Sequence, residues 1–271
     1  MHKNILYVTD LDGTLLHHDE RISKNSCEII NALIEQGMKF SFATARSIHT
    51  ATVVTQGLEL ELPIIVNNGT FITDIHTRER IVSNQFTRTE AEKIYEILCK
   101  HQISPLVYAV IDGAEKFSYD KANVNSALSD FINSRKNDGR DNPLNDTSVI
   151  LQGDVFYFTC IGEEEKLYRA HEELKAIYNC IYQKDIYSNE QWLEIMPHTA
   201  TKAHAIQQLK QLYQCDTIVT FGDGVNDIPM FQIADRCYAV SNAVKELKEI
   251  ATDIIGSNEE DGVAVWLQKY E

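Results

Sequence analysis

Ile5-Leu6-Tyr7-Val8-Thr9-Asp10-Leu11-Asp12-Gly13-Thr14, residues 5–14, decides how this chain is read. Ile5 to Val8 is a short apolar run of the kind that forms a strand covered on both faces. Asp10 and Asp12 stand two apart where the chain leaves that strand. Both carboxylates can therefore face one pocket, and Gly13 lets the backbone turn tightly. One carboxylate of such a pair can attack phosphorus while the other hands a proton to the leaving oxygen. The same residues also suit a plain turn with Asx and capping bonds. A calcium loop of the EF-hand type does not fit, because its glycine position falls on Leu15 and its terminal glutamate on Arg21.

Outward from this run, strand and helix signals alternate. Ile29, Ile30, Leu33 and Ile34 form one apolar helical stripe, and Gly37 is placed to stop the helix. Phe40 to Ala43 reads as a second strand and Pro63 to Val66 as a third, which predicts a parallel sheet with right-handed crossovers. The middle of the chain changes character. Thr89 and Glu92 form a capping box ahead of Ile94, Ile97 and Leu98. Asp112-Gly113, flanked by Leu106 to Ile111 and Lys116 to Tyr119, signals a hairpin, hence antiparallel sheet. Lys136 to Asp146, with Gly139 and Pro143, reads as an exposed loop. Val155 to Ile161 is a further strand, and a charged helix is predicted from about Glu163 to Tyr178. After Pro197 the alternation returns, with a helix at Thr201–Leu212, strands at Thr217–Phe221 and Cys237–Val240, a helix at Ala243–Ala251 and a last edge at Ile254-Ile255. The expected fold class is thus α/β: a doubly wound, Rossmann-like parallel-sheet core, discontinuous over residues 1–82 and 191–271. An α+β cap domain is inserted at 83–190.

Composition narrows the function. A net charge of −15 over 271 residues argues against a nucleic-acid or anionic-membrane surface, since phosphate backbones demand clustered Lys and Arg. Any anionic substrate must then be met by a local positive field. The six cysteines are scattered without metal or redox spacing, which fits free thiols in a reducing compartment. No apolar run reaches the ~18 residues of a membrane span. A cytoplasmic protein, monomeric or weakly homo-oligomeric, is expected.

Three further segments leave strands of the predicted core. In open α/β sheets the loops at strand carboxyl ends form the ligand crevice, so they should converge with Asp10 and Asp12. Thr44-Ala45-Arg46 offers a hydroxyl and backbone N–H groups at a helix start, suited to phosphate oxygens or to simple capping. Lys202 offers a compact positive charge for a phosphoryl oxygen or a carboxylate, although a lone Lys is ordinarily a surface residue. Gly222-Asp223-Gly224-Val225-Asn226-Asp227 offers hard oxygen ligands of the kind magnesium takes. The histidines, including His17, His18 and His204, show no ligand spacing and are expected at the surface.

These segments, in this order, resemble the haloacid dehalogenase superfamily of phosphatases, and within it the Cof-type sugar-phosphatase branch. Val66-Asn67-Asn68-Gly69 and Asn258 to Val263 match as well. The resemblance implies a Mg2+-dependent phosphoric monoester hydrolase acting on a small phosphorylated metabolite, a sugar phosphate first, a nucleotide or cofactor phosphate next. It implies Asp10 as nucleophile and metal ligand. Asp12 becomes the general acid and base, with its carbonyl on the metal. Asp223 becomes a metal ligand and Asp227 the residue that positions that shell. Phosphate would be held by Thr44, Lys202, Asn226 and the backbone N–H groups of Leu11 and Ala45, with Arg46 meeting a second anionic group on the substrate. Ala45 and Ala203 stand where relatives often carry Gly. A phosphomutase or a non-catalytic phosphometabolite sensor on the same scaffold are the alternatives. The intact Asp10, Asp12 and Asp223 count against the sensor.

Overall fold

The computed structural model describes residues 4–135, 138–184 and 190–270. In chain order its strands are β1 (Ile5–Thr9), β2 (Lys39–Phe42), β3 (Ile64–Val66), β4 (Phe71–Thr73), β5 (Arg80–Ser83), β6 (Leu106–Ile111), β7 (Ala114–Asp120), β8 (Asp141–Leu144), β9 (Asp154–Gly162), β10 (Asn179–Lys184), β11 (Gln191–Met196), β12 (Thr217–Gly222), β13 (Arg236–Val240) and β14 (Asp253–Ile255). The chain divides into two compact units, residues 1–83 with 199–271 and residues 84–198.

The first unit is built on a five-stranded sheet in the order β14-β13-β12-β1-β2, parallel throughout. Its central strands are apolar on both faces because crossover helices cover both. Leu6, Val8, Phe42, Val219 and Phe221 are fully buried. The helix Lys24–Glu35 opens on Ser23, whose hydroxyl accepts from Ser26 N–H at 2.9 Å. It closes on Gly37 at φ +96°. There the N–H groups of Gly37 and Met38 return to Ile34 and Leu33, the paired bonds of a Schellman end. The third apolar run does not simply extend the parallel sheet. β3 pairs antiparallel with β4, and β4 with β5, in a separate three-stranded sheet. β3 touches the main sheet through one parallel bridge, Ala43 to Ile65.

The strand order places a topological switch between β1 and β12. From β1 the chain winds outward to β2, and from β12 it winds the other way to β13 and β14. Crevices for ligands open at such points, beyond the carboxyl ends of the two strands.

The second unit carries a six-stranded sheet in the order β10-β11-β9-β6-β7-β8. β6 and β7 form the hairpin expected at Asp112-Gly113, where both residues take positive φ, +50° and +80°. Leu98, Val107, Phe158, Leu174 and Ile195 belong to its own buried core. Phe86 contacts Phe158 and Tyr178 at ring-centroid distances of 5.6 and 5.7 Å, which fastens the start of the unit to its sheet.

Three details depart from the sequence reading here. The capping box is Thr87 with Glu90, two residues before the predicted one; both reciprocal bonds are present. The pattern Thr-x-x-Glu occurs twice in this stretch. The earlier copy is the one used: the Thr87 N–H donates to Glu90 Oε2 at 2.8 Å and the Glu90 N–H to Thr87 Oγ1 at 3.3 Å. The segment read as a loop contains β8, parallel to β7 at the sheet edge. Pro143 is tolerated there because an edge strand can spare an N–H; residues 136–137 lie outside the described residues. Finally, β11 pairs with both β9 and β10. The outer unit therefore resumes at Thr199, not at 191. Among the described residues no helix is long and apolar enough to cross a membrane.

Candidate active site

β1 and β12 run side by side in register, Thr9 opposite Phe221. The N–H of Asp10 donates to the Phe221 carbonyl at 2.9 Å, so the residue that follows β1 is fixed to the end of β12. The chain then turns sharply: the Leu11 carbonyl accepts from the N–H groups of Thr14, Leu15 and Leu16. Gly13, at φ +74°, is required twice over. Its backbone is left-handed, and a Cβ there would sit 2.4 Å from Asp223 Oδ2.

Beyond β12, Asp223 begins a tight turn governed by Asp227. The Oδ2 of Asp227 accepts from the N–H groups of Asp223 and Gly224, both at 3.0 Å. Its Oδ1 accepts from Lys202 Nζ at 2.7 Å. The same ammonium donates to Asp10 Oδ1 at 2.6 Å. Lys202 is the first residue of the helix Lys202–Leu212, capped by the Thr201 hydroxyl. A cation at a helix N-terminus opposes the macrodipole. The residue is nevertheless only 3% exposed. Burial and helix dipole both act against the ammonium, and the two carboxylates outweigh them. Burial tends to lower the Lys202 pKa, but the charges of Asp10 and Asp227 raise it above its ordinary value.

Ligand oxygens of Asp10, Asp223 and Asp227 lie within 4.8 Å of one another. Asp227 has both oxygens engaged. Asp10 and Asp223 each use Oδ1, on Lys202 and Thr14, in the hydrogen bonds described here. Three carboxylates thus face one ammonium in a largely dry pocket. Burial lifts the Asp10 carboxyl above the usual carboxylate range, with Asp227 and Asp223 adding to the rise and Lys202 opposing it. Asp223 is pushed up to about 6, by burial first and then by Asp227, against the hydrogen bond from Thr14. A hard divalent cation would relieve this excess of negative charge, and the oxygen-only donor set is the one magnesium takes.

A second group lies at the mouth of the turn. Asp12 is exposed, and Arg46 grips it through Nε and Nη2 at 2.5–3.1 Å. The Arg46 N–H donates to Thr44 Oγ1 at 3.1 Å, which ties this arginine to the fully buried Thr44. The expected second-anion contact, Arg46, is therefore an Asp12 partner here. Thr44 to Arg46 also precede the helix instead of starting it: Ser47 is the N-cap of Ile48–Val54. Leu11 has a fully buried side chain. Ala45 and Asn226 are exposed.

Several residues of this region escaped the sequence reading. Asn242 Nδ2 donates to the Gly13 carbonyl at 2.7 Å, and Asn258 Nδ2 to the Leu16 carbonyl at 2.9 Å. Both steady the turn that carries Asp12. Asn258 lies in the matching stretch Asn258 to Val263, whereas nothing in the sequence around Asn242 signals it. His18 is at the surface, as expected, whereas His17 is partly buried, and both meet carboxylates. His17 Nε2 lies 3.0 Å from Asp261 Oδ1 and His18 Nδ1 3.2 Å from Glu259 Oε2. His204 is partly buried, and its N–H is the one capped by Thr201.

Residues 7–267 match the family model of the haloacid dehalogenase-like hydrolases. A Bacillus subtilis relative, the 5-amino-6-(5-phospho-D-ribitylamino)uracil phosphatase YwtE, is 29% identical over 280 residues, covering 96% of each chain. A haloacid dehalogenase-like hydrolase from Bacteroides thetaiotaomicron superposes with a TM-score of 0.77 at 24% identity over the full length of both chains. The subclass IIB sugar phosphatase BT4131 superposes with a TM-score of 0.72 at 17% identity, covering 98% of each. At these identities the two structures speak for the fold.

Proposed function

The chain belongs to the haloacid dehalogenase-like hydrolase family, and on that premise we propose that it is a magnesium-dependent phosphatase of a small phosphorylated metabolite with Asp10 as nucleophile. The observation that carries this reading is Lys202 Nζ held between Asp10 and Asp227, with Asp223 beside them, at the β1–β12 switch.

Asp10 attacks phosphorus through a carboxylate oxygen, and the ester P–O bond breaks. The leaving oxygen takes a proton from Asp12. Water then attacks the aspartyl-phosphate, its proton passes to Asp12, and the bond between Asp10 and phosphorus breaks to release inorganic phosphate. Lys202 keeps Asp10 oriented and offsets the charge of the incoming phosphoryl group. Asp227 holds Lys202 and, through two N–H groups, the backbone at Asp223. Thr44 Oγ1 and the N–H groups of Leu11 and Ala45 serve the phosphoryl oxygens, together with Asn226. Asp10, Asp223 and the Asp12 carbonyl would hold the magnesium ion, which supplies the positive charge a carboxylate needs to approach a phosphate dianion.

The name of the Bacillus subtilis relative contains a phosphorylated ribityl chain, which supports a phosphorylated sugar or sugar alcohol as substrate. The test is a panel of such esters, with nucleotides and cofactor phosphates, assayed with magnesium and with EDTA. Phosphate release is expected only with the metal, and Asp10→Asn should reduce it by at least about 10³-fold, the scale of losing a covalent nucleophile. Hydrolysis that survives either change sinks the mechanism.

A further inference from the structure

We propose that Glu20 is a positioning residue for Asp12, acting through Arg46; the proposal rests on the phosphatase reading above. Arg46 Nη2 lies 2.5 Å from Asp12 Oδ1 and 2.8 Å from Glu20 Oε2. Nε of the same guanidinium reaches both Asp12 oxygens, at 3.1 and 2.8 Å. One planar fork is therefore shared between two carboxylates, and only one of them belongs to the proposed chemistry.

The second carboxylate is on a built support. Glu20 has φ +59°, a backbone that non-glycine residues adopt only where the surroundings impose it. Hydrogen bonds impose it here: Glu20 N–H donates to the His17 carbonyl and His17 N–H to the Arg21 carbonyl. His17 is then pinned to Asp261, and the His18 N–H donates to Glu259 Oε1 at 2.7 Å. Arg46 is fixed at its other end, where its N–H meets Thr44 Oγ1 and its carbonyl accepts from Asn67 N–H. A long guanidinium side chain held at both ends offers Asp12 one orientation.

Stability is a poor explanation for this arrangement. The side chains of Glu20 and Asp12 are 66% and 49% exposed, and exposed ion pairs contribute little. Orientation is the better one, because Asp12 leaves a turn without burial to fix its rotamer and must deliver a proton to one particular oxygen.

The test separates proton delivery from every other loss. Single-turnover release of the leaving group is measured with magnesium for wild type and Glu20→Gln, on an alkyl phosphate and on p-nitrophenyl phosphate. Nitrophenolate departs without a proton; an alkoxide does not. The expected result is a loss of about tenfold on the alkyl ester, part of the roughly 10²–10⁴-fold that a placed general acid supplies. The nitrophenyl ester should be cleaved at the wild-type rate, with KM and thermal midpoint unchanged. Arg46→Lys, which keeps the charge and removes the fork, should lose at least as much on the alkyl ester as Glu20→Gln does. Equal losses on both esters, or none on the alkyl ester, overturn the role of Glu20. The alkyl ester is one that wild type hydrolyses in the panel above; if wild type hydrolyses no ester of that panel, the phosphatase reading itself falls.

Discussion

Lys202 is the residue on which the site turns, and its substitution shows how. Lys202→Met fills the same space but leaves Asp10 and Asp227 buried without their shared cation. Breaking a buried pair in this way costs about 3–5 kcal/mol, so a large fall in the urea midpoint is expected together with loss of hydrolysis. Gly13→Ala should behave differently. The fold can strain to admit it at a cost of roughly 1–3 kcal/mol, but the added methyl displaces Asp223. The expected signature is weakened magnesium binding by calorimetry, larger in proportion than the loss of stability. At this scale the sequence was informative where chemistry sits beside a strand end. Asp10, Lys202, Asp223 and Asp227 were all singled out, and all four meet. Glu20 and Asn242 were not, because their partners lie 26 and 229 residues away and nothing in their own neighbourhoods announces them.

Among the elements, β11 carries a carboxyl that the local pattern did not flag. Glu194 accepts from the Tyr157 hydroxyl at 2.6 Å across the β11–β9 ladder. Burial raises its pKa above 4.5, the hydrogen bond opposing. The folded state therefore binds the proton more tightly than the unfolded one, and stability falls as pH rises through the window between the two values. Glu194→Gln keeps the acceptor and cannot ionise. Its thermal midpoint should match wild type below about pH 4 and exceed it increasingly toward neutrality. An unchanged difference across that range would mean the carboxyl is not held protonated. Elements with long apolar runs or sharp caps were read correctly in kind, and β1, β9, β12 and the helix at Lys202 are examples. β4 and β8 were missed for separate reasons. β4 is too short to show a period, and β8 contains a proline that only its edge position permits.

The molecule as a whole was legible in outline, a parallel core interrupted by an α+β insertion. The return point was misjudged by eight residues, since Gln191 to His198 fall in the inserted unit. Pro197 marked the change of pattern, yet β11 just before it belongs to the inserted sheet, and pairing across a sheet is invisible to a local reading. Because residues 84–198 have their own sheet and buried cluster, that segment expressed alone should unfold cooperatively in urea. A gradual, non-cooperative signal would show that it depends on the remainder of the chain.

The same interruption governs when an active molecule can first exist. During synthesis the amino-terminal residues emerge early, and β1 can pair with β2 as soon as both have left the ribosome. Its other edge has to wait for β12, more than two hundred residues later. Until then the growing chain exposes one unpaired edge of an apolar strand and carries Asp10 without Asp223 or Asp227. A product that ends before Lys202 thus holds the Asp10 carboxylate but none of the partners it meets in the fold. Such a fragment is at risk of aggregation and has no means of spending the cell's phosphate esters.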